Sequence, residues 1–320
     1  MIYSRIIGIG GYLPKKIVTN DDLAKTVDTS DEWIITRTGI KKRHIADSNE
    51  CTSDLAVYAL QNALKDAGIT ANDLDAIIVA TTTPDLIFPA TAVKVQDSIG
   101  MKNGFAFDIQ AVCSGFLYAL QIADSFIKTR VVKRIAVVGA EIMSRIVDWN
   151  DRNTCILFGD GAGAVILEQC EKQQNEGILD INLYSEGQYS DLLMVNGGVA
   201  KGNMDSKIEM NGREVFRHAV TKMTDSIKTI VSKNNFNMQS LDWILLHQAN
   251  HRIIKSVAQR LQIDECKAIS TVHEHANTSA ASIPLALNSY IKDGKVKKGD
   301  LIALSAIGGG LTWGSALLRL

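Results

Sequence analysis

Four prolines in 320 residues and no low-complexity tract leave little room for long linkers or disordered segments. Neither charge sign is in excess: 34 Lys and Arg stand against 35 Asp and Glu, a net charge of -1. That balance argues against a general nucleic-acid or membrane-surface binder. The five cysteines, at 51, 113, 155, 170 and 266, form no C-x-x-C and are odd in number, which excludes a disulfide framework and a zinc-thiolate site. The longest charge-free apolar stretch, Ile109 to Ala123, falls short of the roughly 18–20 residues a membrane span needs. The apolar run in "MIYSRIIGIGGYLPKK" is too short for a secretory signal, so the expected home is the cytoplasm.

What the chain does have is 46% hydrophobic residues, 22% charged residues and enough length for one large domain or two ordinary ones. Residues 75–81, 134–140, 243–248 and 301–307 are short apolar runs that read as buried strands. Residues 52–68 and 114–130 carry apolar side chains at i, i+3, i+4 and i+7 and read as helices, the first capped by Thr52 or Ser53. Alternating strands and helices predict a layered α/β protein. The order also repeats. "LDAIIVATT" from Leu74 and "LDWILLHQA" from Leu241 are 167 residues apart, and the same step carries Ile135 to Ile302 and Cys113 to Ala280. "GAGAVIL" echoes "WGSALLR" once an insertion near 145–158 is allowed. The expectation is two duplicated halves, 1–172 and 173–320, dividing near 170–175.

In "FDIQAVCSGF", Cys113 sits at the junction of a strand-like run and a helix. Free N–H groups and the helix dipole at such an end favour thiolate, the attacking form of cysteine, and can hold a substrate oxyanion. In the second half, His247 lies just past a strand and Asn277 lies at the end of the segment mirroring Cys113. If the halves are related by a pseudo-twofold axis, Cys113, His247 and Asn277 converge on one pocket. Taken singly, His247 reads as a satisfied histidine and Asn277 as a helix cap. "HQANH" lacks the Glu of a zinc-binding helix motif, with Gln at 248 and His247 at a strand end, and "HEH" (273–275) puts two histidines on one strand face without further clear ligands, so no metal is expected. "GIGGY" (8–12) and "GDGAGA" (159–164) read as tight turns or close backbone approach, whereas "IGGGLTWG" offers a backbone N–H for an oxyanion.

Together, "AVCSGF", "LLHQANHRI", "HANTSAAS", "GGGLTWGSALLR", "TSDEWIITRTGI" and "DWNDRNTCILFGDGAGA" resemble the 3-oxoacyl-[acyl-carrier-protein] synthase III family. These are the initiating condensing enzymes of bacterial fatty acid synthesis. The resemblance implies a thiolase-like fold with αβαβα layering, an acyl-CoA primer (acetyl is the expected one), malonyl-acyl carrier protein as second substrate, no cofactor and a homodimer. It implies Cys113 as the acylated nucleophile, His247 and Asn277 as donors to the malonyl thioester oxygen, and the backbone N–H groups of Cys113 and Gly309 as an oxyanion hole. It places Thr29, Trp33, Arg37, Arg152 and Asn250 at the coenzyme A, and Phe88 across a dimer interface at the acyl pocket. The carrier-protein face it implies is Arg217, Gln248, Ala249, Asn250, Arg252, Lys255 and Arg260. Periodicity adds independent support for part of that face, because Ile253, Ile254, Val257, Ala258 and Leu261 form one stripe while Arg252, Lys255 and Gln259 fall on another. Ile87, Ser114 and Leu311 depart from the family pattern. A cysteine protease also uses Cys, His and Asn in this order, but the C-G-S-C-W pattern is missing. The same residues also suit a condensing or acyl-transferring relative in secondary metabolism. A non-catalytic acyl-CoA or carrier-protein binding module would have no use for an intact Cys, His and Asn set.

Overall fold

A computed structural model describes residues 2–171 and 176–320. The expected boundary between 172 and 173 lies outside the described residues. Ten strands build two five-stranded sheets. The first sheet uses β1 (Tyr3–Tyr12), β2 (Ala76–Ala80), β3 (Phe105–Ile109), β4 (Arg134–Ile142) and β5 (Asp160–Cys170), in the order β1-β5-β4-β2-β3. The second uses β6 (Gly177–Ser185), β7 (Trp243–Leu246), β8 (Ala268–Ile269), β9 (Leu301–Gly308) and β10 (Thr312–Arg319), in the order β6-β10-β9-β7-β8. Adding five to each label of the first order gives the second. In both sheets the pairs between the three strands at one edge are parallel and the rest antiparallel.

Six helices complete the layers: α1 (Thr52–Ala67), α2 (Thr91–Ser98), α3 (Gly115–Lys128), α4 (Gly212–Lys233), α5 (His251–Leu261) and α6 (Ser282–Lys292). Successive strand residues face opposite ways. Ile135 and Val137 of β4 join the central core with α3 and α6, and so do Ile302 and Leu304 of β9. Ala136 and Val138 turn outward to α1 and α2, while Leu301 and Ala303 turn outward to α4 and α5. Strands buried on both faces read as unbroken apolar runs, which is why they stood out in the sequence. The predicted stripe on α5 is buried as expected.

Some local expectations fail. The N-cap of α1 is Cys51, whose N–H donates to Asp54 at 2.7 Å. Thr52 and Ser53 instead donate their hydroxyls to Thr83 and Asp85, tying α1 to the loop after β2. The two glycine-rich segments are not turns but paired stretches of β1 and β5. Close approach is the part of that reading that holds: a Cβ on Gly10 would come 2.2 Å from the Ala59 carbonyl of α1. "HEH" belongs to a short helix, Val272–His275, and not to a strand. The insertion is real: residues 143–159 link β4 to β5, where residues 309–311 suffice between β9 and β10.

Candidate active site

Cys113 lies in a 3-10 turn, Val112–Ser114, that leads straight into α3. Its mirror is the turn Ser279–Ala281 leading into α6. Val112 and Ser279 hold the same unusual φ of 48°, a strained conformation for a β-branched valine. The two turns meet where the halves abut, so the offset of 167 residues becomes a spatial pseudo-symmetry. Each turn is clasped by a strand of the opposite half. A Cβ on Gly308 would stand 2.6 Å from the Cys113 nitrogen, and one on Gly139 would stand 2.4 Å from the Ala280 oxygen.

Cys113, His247 and Asn277 line a single cavity of about 100 Å³, together with Phe158, Leu193, Asn250 and apolar residues of α4 and α5. His247 follows β7, is 2% exposed, and is anchored through its N–H to the Ser305 carbonyl at 2.8 Å. Its Nδ1 lies 2.6 Å from the Ser282 hydroxyl at the start of α6. That hydroxyl also accepts the Gln248 N–H at 3.4 Å. A hydroxyl has one proton to give; with Ser282 donating it to Nδ1, the ring proton sits on Nε2, the tautomer that presents an N–H to the cavity. Burial pushes His247 down to about 3, so the imidazole is neutral.

Asn277 is fixed from three sides. Its N–H reaches the Leu157 carbonyl, its carbonyl takes the Gly159 N–H, and its Oδ1 accepts the Ser279 N–H. The first-half insertion thus holds a second-half side chain. With Oδ1 used, Nδ2 has no acceptor among the described residues and remains a donor at the cavity wall. The expected thiolate at Cys113 does not hold at rest. Burial pushes the thiol up to about 12, and the Ser279 hydroxyl and the cysteine's own N–H offset only part of this. Gly309 is buried immediately after β9, next to the Gly308 backbone that touches the Cys113 turn. A neutral thiol, an imidazole N–H and an amide N–H around one small cavity can take an acyl group on sulfur and hold a negative oxygen.

The cavity opens at Asn250, which caps α5 through the Arg252 N–H and donates to the Arg37 carbonyl at 3.2 Å. Beyond lies Trp33, with the Arg37 and Arg152 guanidinium carbons 4.6 and 4.9 Å from its ring centroid. Arg152 therefore covers an indole face directly, and it also bonds the Asp28 carbonyl. Thr29 is alongside in sequence, with a buried hydroxyl that has no partner among the described residues. On its other side Cys113 borders a larger cavity of about 490 Å³, lined by Ile87, Gln110, Met143, Val199 and Met204 among others. Phe88 does not line it; the residue is 82% exposed.

Gln248 must be struck from the expected docking face. It is fully buried, and its amide is spent on the Leu246 and Ile269 carbonyls and the Thr271 N–H. Ala249 is half-buried in the cavity wall. Arg217, Arg252, Lys255 and Arg260 are exposed on α4 and α5. Arg213, one helical turn before Arg217, lines the same open groove as Arg217 and Arg260. It escaped the sequence reading, although the i, i+4 spacing carries the signal. Also missed were Ser279, Ser282 and Glu141, a fully buried carboxyl at the end of β4.

Two family models match the chain, one described as 3-oxoacyl-[acyl-carrier-protein] synthase III over residues 107–187 and one as its C-terminal part over residues 231–320. A beta-ketoacyl-[acyl-carrier-protein] synthase III of Ehrlichia canis is 57% identical over 317 residues, covering 99% of each chain. One from Paramagnetospirillum magneticum is 53% identical over the whole of both chains. The crystal structure of 3-oxoacyl-[acyl-carrier-protein] synthase III from Aquifex aeolicus superposes with a TM-score of 0.94 at 48% identity, covering 99% of this chain and 100% of that one. The five-layered arrangement is therefore the thiolase-like α/β fold, and the chain belongs to the 3-oxoacyl-[acyl-carrier-protein] synthase III family.

Proposed function

We propose that this protein carries out the decarboxylative condensation of an acyl-CoA primer with malonyl-acyl carrier protein. The products are 3-oxoacyl-acyl carrier protein, coenzyme A and carbon dioxide, and the reaction opens fatty acid synthesis. The observation that carries the reading is the shared cavity of Cys113, His247 and Asn277. The Cys113 sulfur attacks the thioester carbonyl and keeps the acyl group, with the Cys113 and Gly309 N–H groups facing the oxyanion. Nε2–H of His247 and Nδ2–H of Asn277 then donate to the malonyl thioester oxygen as carbon dioxide leaves and enolate charge grows. The donors are preset in a dry site, the condition under which such charge stabilisation is largest.

The adenine of coenzyme A stacks at Trp33, displacing the Arg152 guanidinium that now covers it; Arg37 and Thr29 lie at the nucleotide and Asn250 along the pantetheine arm. Arg213, Arg217, Arg252, Lys255 and Arg260 form the basic face for an acidic carrier protein, giving a salt-dependent encounter. Phe88 closes the larger cavity of a partner copy in a homodimer; its exposure beside Leu86 and Ile87 supports this. The chemistry needs no cofactor or metal, nucleic acid or membrane. No helix among the described residues is long and apolar enough to cross one, and the cytoplasm is the proposed location. The division of labour follows the two halves, 1–172 with the nucleophile and 173–320 with His247 and Asn277.

Mass spectrometry after incubation with acyl-CoA tests the assignment. Cys113→Ser is expected to form no acyl-enzyme, and a label persisting on that variant would remove Cys113 from its role. His247→Ala and Asn277→Ala are expected to keep acylation and lose about 10²–10³-fold in condensation. Equal loss in both partial reactions would defeat the division of roles. A panel of straight and branched primers with malonyl-acyl carrier protein defines what the larger cavity accepts.

A further inference from the structure

Glu141 lies near the end of β4, where the halves meet, and is fully buried. Its two carboxyl oxygens face different halves. Oε2 takes four donors from the first half: the Thr83 hydroxyl at 2.7 Å, the Thr82 N–H at 3.0 Å, the Thr83 N–H at 3.2 Å and the Thr81 hydroxyl at 3.3 Å. Oε1 accepts the Ser279 hydroxyl of the second half at 3.0 Å. An ionised carboxyl accepts on both oxygens and donates from neither, which suits a point where donors arrive from two sides.

Ser279 connects this carboxyl to Asn277. Its N–H donates to Asn277 Oδ1 at 2.9 Å, the one bond the Asn277 side chain makes among the described residues. The φ of Ser279, 48°, sets how that N–H, and Asn277 ahead of it, sits against the turn into α6. This is a left-handed conformation that a serine holds only when its surroundings impose it. The end of β4 imposes it twice. Glu141 takes the Ser279 hydroxyl, and the bare Gly139 backbone lies against the Ala280 carbonyl, where a Cβ would come within 2.4 Å.

We propose that Glu141 is a positioning residue for Asn277. By holding the Ser279 hydroxyl it keeps that strained backbone in place, and so fixes the Asn277 amide with Oδ1 engaged and Nδ2–H toward the cavity. The inference rests on the donor role proposed for Asn277. Without the clasp the turn relaxes and the amide turns or withdraws. The developing enolate oxygen is then left with one donor, Nε2–H of His247. Acyl transfer to Cys113 does not draw on the Asn277 donor, so the two partial reactions respond unequally.

Single-turnover mass spectrometry on the full chain reads both steps. One is acyl transfer from acyl-CoA to Cys113; the other is condensation of pre-acylated enzyme with malonyl-acyl carrier protein. Assays run at roughly pH 8, above the value of about 7 to which burial raises Glu141, so the carboxyl is ionised. Glu141→Gln sets an amide NH2 against one group of donors, and Ser279→Ala deletes the hydroxyl. Each is expected to slow condensation about tenfold more than acylation. Ser279→Gly also lacks the hydroxyl but adopts a positive φ without strain, so it is expected to recover part of what Ser279→Ala loses. Glu141→Gln added to Asn277→Ala is expected to slow condensation no further than Asn277→Ala alone, because both changes act on one donor. Equal slowing of both steps in a folded Glu141→Gln, effects that multiply in the double variant, or a Ser279→Gly no better than Ser279→Ala overturns the proposal. Ser279→Ala serves in the first two comparisons if Glu141→Gln does not fold. Wild-type condensation by Asn277→Ala would instead remove the donor role. A crystal structure of Ser279→Ala then decides the positioning by itself: a displaced Asn277 amide supports it, and an unmoved one overturns it.

Discussion

Slid along by 167 residues, the first half lands on the second with β2 on β7, α3 on α6 and β4 on β9, each starting at the matching residue. Even the strained φ of Val112 recurs at Ser279. The side chains at the meeting ends do not recur. Cys113 faces Ala280, Ala80 faces His247, Gln110 faces Asn277, Gly115 faces Ser282 and Glu141 faces Gly308. Packing inside the layers holds both backbones to one plan, while chemistry resides in a few residues at strand and helix ends. One half supplies the sulfur and a buried carboxyl; the other supplies the imidazole, the amide and two hydroxyls. A duplicated scaffold thus yields one site, because its two copies diverged in complementary ways.

The sharpest way to break this comparison is to move the nucleophile. Ala280→Cys combined with Cys113→Ala is expected to give no acyl-enzyme, because the transplanted sulfur lacks the facing donors. Acyl label on position 280 would show the halves to be interchangeable. Next in size is Gly308→Ala, where the new Cβ meets the Cys113 nitrogen at 2.6 Å. Acylation is expected to fall about 10²-fold through misplacement of the sulfur. Gly187→Ala, with open space around it, serves as the control that stays at the wild-type rate. A smaller effect follows from Ser282→Ala, which frees Nδ1 and lets the tautomers mix. Starting from pre-acylated enzyme, condensation is expected to slow roughly tenfold, as for the loss of other orienting partners; an unchanged rate would deny Ser282 its role.

The smallest expected effect is thermodynamic, and the two halves enter it with opposite sign. His247 and His275 are lowered to about 3 and about 4, and burial also lowers His218 and His273. Below about 6.5 the unfolded chain takes up protons these folded imidazoles refuse, so they make stability fall as pH falls. Glu141, raised to about 7, binds its proton more tightly when folded. Between roughly 4.5 and 7 it makes stability fall as pH rises. The imidazoles outnumber it, so thermal melts from pH 7 to 4.5 are expected to shift down by on the order of a few degrees. Glu141→Gln is expected to steepen that slope, and a flattened one would contradict the assignment.

The sequence disclosed the framework because strands buried on both faces are unbroken apolar runs and the central helices keep a clean apolar stripe. Cys113, His247 and Asn277 could be brought together because the repeat places them at matching element ends. Glu141 was hidden, since a carboxylate closing "RIAVVGAEI" reads as the first polar residue past a strand. Its meaning depends on Ser279, which local periodicity cannot reach. Ser282 likewise reads as one more polar residue at a helix start. Gln248 misled in the other direction: the resemblance put it on the carrier-protein face, yet here it satisfies buried carbonyls. The thiolate expectation erred because the helix-end field was weighed without the desolvation of a fully buried sulfur.

The two cavities share Cys113, Phe158 and Leu193 but differ nearly fivefold in volume. Under the proposed function the narrow one acts as a turnstile. In the proposed reaction both pantetheine arms reach the sulfur by this one route past Asn250, so free coenzyme A departs before the carrier-borne arm descends. In that reaction the acyl group already transferred waits in the roomier chamber behind. Excess coenzyme A therefore blocks the second arrival and not the stored acyl group, and inhibition competitive with malonyl-acyl carrier protein is its kinetic signature.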